Sequence, residues 1–223
     1  MQKLETKIVY NQPGVKPTAA IIWLHGLGAD YNDFVPLVSE LNLDISVKFV
    51  FPNARIMPVT INGGMQMRAW YDILDFSALH REVDNHGIAT SVRQIEDLIE
   101  DLISQGFAAD KIVLAGFSQG GVIGYYAGLN SRQHLAGLLI LSSYLPDPAL
   151  LERSHVPQKT NLAMLICHGT RDPVVNISYA KQALKSLQEL GLTYQWQEYP
   201  MEHSVCAAEV SCIAQWLAQV LHK

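Results

Sequence analysis

The stretch Lys111-Ile112-Val113-Leu114-Ala115-Gly116-Phe117-Ser118-Gln119-Gly120-Gly121 decides how this chain reads. Its first five residues are a short apolar run of strand length. The glycines around Ser118 then lead into Val122-Ile123-Gly124-Tyr125, the start of a helix expected from about 119 to 129. A strand that becomes a helix within a few residues brings backbone against backbone. The positions flanking the turn must therefore be small, and Gly116 and Gly120 are. Such a turn lifts the Ser118 hydroxyl above the sheet, at a helix N-terminus that favours developing negative charge. A glycine-rich turn with a capping serine is the plainer reading, but the strand–turn–helix context favours an exposed nucleophile.

Outward from this stretch, apolar runs alternate with helical patterns. Strands are expected at Ala19–Leu24, Val47–Phe51, Lys111–Ala115, Leu138–Leu141, Leu162–Cys167 and Thr193–Glu198. The clearest helix is roughly 88–104, where Ile88, Val92, Ile95, Leu98, Ile99, Leu102 and Ile103 recur at three- and four-residue spacing. Further helices are expected at Asp33–Leu41, with Pro36 near its start, at 177–190 ahead of Gly191, and at 206–221. Residues 53–86 read as mostly irregular, broken by Pro58, Gly63 and Gly64, yet apolar enough to pack over something. The alternation implies an α/β fold in one domain over 1–223: a doubly wound, mostly parallel sheet flanked by helices. The elements consume most of the chain, leaving no room for a large cap domain. In such sheets the chemistry sits beyond the C-terminal strand ends.

A serine hydroxyl is a poor nucleophile at neutral pH and needs a base, which in turn needs an orienting acid. On doubly wound hydrolase sheets they follow the nucleophile in the order acid, then histidine. Asp172 lies in Cys167-His168-Gly169-Thr170-Arg171-Asp172-Pro173-Val174, directly after a strand. His203 lies in Tyr199-Pro200-Met201-Glu202-His203-Ser204, after the next. Asp147, in Tyr144-Leu145-Pro146-Asp147-Pro148, is the rival acid; the tighter turn favours Asp172. His168 is expected to brace the acid loop, and His80, His86, His134, His155 and His222 to be solvated. An oxyanion needs two backbone donors. Gln119, next to the nucleophile, supplies one N–H. Leu27, in the glycine-bearing loop His25-Gly26-Leu27-Gly28, supplies the other, with His25 orienting that loop.

The segments WLHGLGAD (23–30), FPNARIMPVTINGG (51–64), MRAWYDI (67–73), LAGFSQGG (114–121), CHGTRDPVV (167–175) and YPMEHSV (199–205) together resemble the acyl-protein thioesterases and related small bacterial carboxylesterases. These are α/β-hydrolases, and the likeness runs from about residue 19 to the C-terminus. It implies Ser118 as nucleophile, His203 as base, Asp172 as its partner, and Leu27 and Gln119 as oxyanion donors. Glu202 departs from the expected Gly, Met or Gln and reads as exposed.

Composition sets the outer bounds. With 223 residues, 49% hydrophobic and 17% charged, the chain can bury a substantial core. A net charge of −5 offers no basic stripe for nucleic acid, and no apolar run suggests membrane insertion. The polar N-terminus and the odd count of 3 cysteines suggest reduced thiols in the cytoplasm. Cys206 reads as a buried helix thiol rather than a metal ligand, and no metal or cofactor is expected. Trp70, Ile73, Leu74, Phe76 and Val174, with Val59, Leu27 and Leu79, are candidates to line an acyl channel; ordinary core is the alternative. The expected substrate is an acyl ester or thioester, with an acylated protein or lysophospholipid as candidates and an open site suited to a bulky carrier. The chain is expected to be a monomer or weak homodimer. A non-catalytic binding protein on the same fold is the rival class, and it would be expected to lack a member of the triad.

Overall fold

The computed structural model describes residues 3–76, 81–151, 155 and 159–222. A seven-stranded sheet forms its centre, built from β1 (Thr6–Tyr10), β2 (Ala19–Leu24), β3 (Val47–Pro52), β8 (Ile112–Phe117), β9 (Gly137–Leu141), β10 (Ala163–Gly169) and β11 (Gln195–Tyr199). The spatial order is β1-β3-β2-β8-β9-β10-β11; β1 pairs antiparallel with β3 and the remaining pairs are parallel. The β1 edge was not foreseen. Half-exposed Ile8 and Tyr10 give it a weak apolar signature, as suits an antiparallel edge.

Alternation along each strand divides the core in two. On β2, Ala20, Ile22 and Leu24 face a cluster shared with α2 (Asn85–Ser104), α3 (Gln119–Asn130) and α4 (Ile177–Glu189). Ala19, Ile21 and Trp23 face the other cluster, shared with α1 (Leu37–Glu40) and α5 (Ala207–Leu221). Helix α2 starts at Asn85, earlier than its apolar stripe, because the Asp84 side chain caps it by accepting from the His86 N–H at 3.0 Å. Helix α1 is a single turn after Pro36 rather than the longer helix expected from Asp33.

The long segment read as irregular is partly ordered. It forms two antiparallel hairpins, β4 (Ile56–Val59) with β5 (Met65–Arg68), and β6 (Ile73–Phe76) with β7 (Arg81–Val83). Gly63 and Gly64, read as breakers, make the first turn with φ of 66° and 78°. Leu79, His80 and the side chain of Phe76 lie outside the described residues. No helix among the described residues is long and apolar enough to cross a membrane.

Candidate active site

The turn after β8 shows why its sequence is built as it is. Ser118 sits at φ 54° and ψ −118°, a conformation that L residues rarely adopt. The surroundings hold it there. A Cβ on Gly120 would lie 2.5 Å from the Leu24 carbonyl oxygen and 2.6 Å from that of His25. A Cβ on Gly116 would collide with the Gly120 carbonyl. The Ser118 N–H donates to Leu141 at 2.9 Å, and its carbonyl accepts from the Ser143 hydroxyl at 2.7 Å. Fixed in this way, the side chain stands over the α3 N-terminus.

Two strand-end loops bring the other groups to it. His203 Nε2 is 2.9 Å from Ser118 Oγ, and His203 Nδ1 is 2.6 Å from Asp172 Oδ2. Asp172 can only accept while ionised, so Nδ1 carries the proton and Nε2 is free to accept from the serine. The other oxygen, Asp172 Oδ1, accepts from the Val174 and Val175 N–H groups, each at 2.8 Å. Burial alone would raise the Asp172 carboxyl. The bond to His203 and those two amides overcome it and hold the group below the usual carboxylate range.

His168 is fully buried and braces this loop, as expected. Its Nε2–H donates to the Val175 carbonyl at 2.7 Å. Burial depresses its pKa, so it stays neutral beside the Asp172–His203 pair. Asp147 does not reach His203; it caps a short turn by accepting from the Ala149 N–H at 2.9 Å. His86, His134 and His222 are exposed, whereas His155 is half-buried, with Nδ1 donating to the Asn130 carbonyl at 2.8 Å. Glu202 is exposed. Cys206 is half-buried at the residue before α5 and its thiol makes no capping bond, a correction to the buried helix thiol expected of it.

The His25–Gly28 loop, read from the sequence as an oxyanion donor, is held by a web of hydrogen bonds. His25 Nε2 accepts from the Ala54 N–H at 3.0 Å, so its Nδ1–H donates to the Gly26 carbonyl at 2.7 Å. Burial lowers its pKa and keeps this neutral tautomer. Gly28, at φ 76°, donates to the Arg68 carbonyl at 2.9 Å. Neither the Leu27 N–H nor the Gln119 N–H is spent on a loop or turn acceptor among the described residues.

Trp70 requires a correction. Sequence reasoning placed it, with Ile73, on the wall of an acyl channel; in the structure both are core residues, Trp70 only 1% exposed. Its indole N–H donates to the His25 carbonyl at 2.9 Å, and its backbone N–H to Gln119 Oε1 at 2.8 Å. Gln119 Nε2 donates to the Tyr71 carbonyl at 2.8 Å, and the Ser91 hydroxyl donates to the Trp70 carbonyl. Trp70 is thus a strut that ties the His25–Gly28 loop to the start of α3. Val59 is buried as well. Leu74 and Val174 remain open, at 41% and 47% exposed, and Leu27 is half-buried. Sequence reasoning also missed the Gln119 side chain, whose partners lie 48 and 49 residues away.

Glu209, in the first turn of α5, is 0% exposed, with neither carboxylate oxygen in a hydrogen bond of ordinary geometry. Burial pushes its carboxyl up to about 7, only partly offset by the Cys206 N–H and the Cys167 thiol.

Comparison with known proteins places the chain in a family. A family model described as phospholipase/carboxylesterase matches residues 6–221. Acyl-protein thioesterase 1 of Mycosarcoma maydis is 36% identical, over 99% of each chain. Acyl-protein thioesterase 1 of Neurospora crassa is 39% identical, over 92% of this chain and 88% of its own. The crystal structure of Arabidopsis thaliana SOBER1 superposes with a TM-score of 0.81 at 27% identity, covering 91% of this chain and 99% of that one. The chain belongs to the phospholipase/carboxylesterase family of α/β-hydrolases and is a hydrolase of the serine esterase type.

Proposed function

We propose that the chain hydrolyses long-chain acyl thioesters and esters through a Ser118–His203–Asp172 triad. The observation that carries this is the unbroken relay from Ser118 Oγ to His203 at 2.9 Å and from His203 to Asp172 at 2.6 Å. Ser118 Oγ attacks the acyl carbonyl while its proton passes to His203 Nε2. The negative charge on the former carbonyl oxygen is held by the Leu27 and Gln119 N–H groups. Losing one such donor typically costs about 3 kcal/mol of transition-state stabilisation. Asp172 stabilises the imidazolium that forms. His203 then gives the proton to the departing thiol or alcohol, leaving Ser118 acylated. In the second half His203 takes a proton from water, the resulting hydroxide attacks the acyl carbon, and Ser118 recovers its proton as the carboxylic acid leaves.

The acyl chain is assigned to the side of Leu27, Leu74 and Val174, where apolar side chains stay open to solvent. The relatives named acyl-protein thioesterases support a substrate whose thioester is carried on a protein. A panel of thioesters and esters with acyl chains from two to sixteen carbons, on short-alcohol, lysophospholipid and S-acylated peptide carriers, tests the reading. Rising kcat/KM with chain length, and a shift of that optimum in Leu74→Ala, are expected. A flat series in wild type, or an unmoved optimum in Leu74→Ala, would overturn the acyl-side assignment.

A further inference from the structure

The scissile carbonyl has two substituents, and the residues flanking Ser118 belong to two different faces of the sheet. Leu27 and Val175 pack with the α2–α4 cluster, the side assigned to the acyl chain. Phe34, Leu37, Phe117 and Val205 pack with the α1–α5 cluster. On that second side lies a cavity of about 310 Å3, formed by Asp33, Phe34, Leu37, Phe117 and the His203–Val205 loop. His203 is one of its walls, with the Phe117 ring 4.7 Å away and Phe34 5.4 Å beyond Phe117. The residue that must protonate the leaving group therefore borders this space.

The cavity also has a sign. No Lys or Arg lines it. Asp33 does, and its carboxylate has no ion pair or hydrogen bond among the described residues. Asp33 is exposed, and partial desolvation, then the neighbouring Asp30 charge, raise its carboxyl. Two aromatic side chains and a carboxylate in one lining, with no cationic side chain, suit a cation with apolar substituents.

We propose that this cavity is the leaving-group subsite, selective for alcohols or thiols that carry an ammonium group close to the scissile bond. The proposal rests on the serine-hydrolase reading above, with acyl chain and leaving group on opposite sides of Ser118. An anionic leaving group, such as a phosphate-bearing thiol, is disfavoured by Asp33 and Asp30.

The test compares a choline ester with the 3,3-dimethylbutyl ester of the same fatty acid, which replaces the ammonium nitrogen by carbon at nearly constant shape. In wild type at low salt the choline ester is expected to show a kcat/KM roughly three- to ten-fold higher, a ratio that shrinks as salt screens the charge. Asp33→Asn is expected to bring the ratio close to one, through KM rather than kcat, and Asp33→Glu to restore most of it. Asp33 is exposed, so neither change threatens folding. A wild-type ratio at or below one, or one unchanged in Asp33→Asn, overturns the subsite. Turnover of the neutral ester in that case leaves the serine-hydrolase reading intact; no turnover of either ester removes both.

Discussion

Replacing Gln119 by leucine separates the two uses of that residue. The backbone N–H proposed to hold the oxyanion is kept, while the side-chain amide that holds the Trp70–Tyr71 segment is lost. In the structure that amide accepts from the Trp70 N–H and donates to the Tyr71 carbonyl, both at 2.8 Å, in a buried setting. Leucine has similar bulk, so little cavity is left. The cost is two backbone groups without partners, each worth about 1–3 kcal/mol. About 3 kcal/mol in total is a conservative sum, because a small shift of the segment can recover part of it. For a chain of this length 1 kcal/mol moves Tm by about 2–4 °C, so a fall of about 6–12 °C is expected by calorimetry or circular dichroism. Gln119→Glu is the companion variant. Protonated, it can accept from Trp70 and donate to Tyr71; ionised, it can only accept. Its carboxyl is therefore raised in the folded protein, and its stability should recover at low pH and be lost as pH rises. A Gln119→Leu protein melting within about 2 °C of wild type would refute the strut.

Other perturbations probe the relay and the buried carboxyl. Asp172→Asn can no longer fix His203 in the tautomer that accepts from Ser118, so kcat should fall by about 10⁴ with the fold retained, measured on a short-chain ester. Glu209 titrates at about 7 when folded against an ordinary 4.5, so its contribution is full below 4.5 and is lost as pH rises through 7. Glu209→Gln should accordingly gain up to roughly 3 kcal/mol over wild type at pH 8 and flatten the dependence between those values in urea titrations. A dependence unchanged in Glu209→Gln would place the titration elsewhere. Asp172 acts in the opposite sense: its lowered value gives stability that is present above 3.8 and lost as pH falls below it.

What the sequence made legible depended on locality. Ser118 and Asp172 follow apolar strands and His203 follows a more polar one, Gln195–Tyr199, so strand ends alone brought them to one edge of the sheet. The choice of Asp172 over Asp147 rested on turn length, and the two carboxylates differ in the structure by their partners. Trp70 illustrates the limit. A large apolar side chain near the site fits a pocket wall and a core strut equally well in sequence. Only hydrogen bonds to His25 and Gln119, 45 and 49 residues away, separate the two. The hairpins β4–β5 and β6–β7 were hidden for a related reason. Pro58 and the two glycines argue against regular structure locally, yet a short edge strand tolerates the one and a tight turn needs the others. The Asp33 cavity involves residues 33, 117 and 203, which no single motif joins.

The most direct measurement is covalent labelling of the purified protein with a fluorophosphonate probe, followed by peptide mass mapping, on wild type and Ser118→Ala side by side. Stoichiometric label on Ser118 in wild type and none in Ser118→Ala is the expected result. An unlabelled wild type, or equal labelling of the two, would contradict a catalytic Ser118.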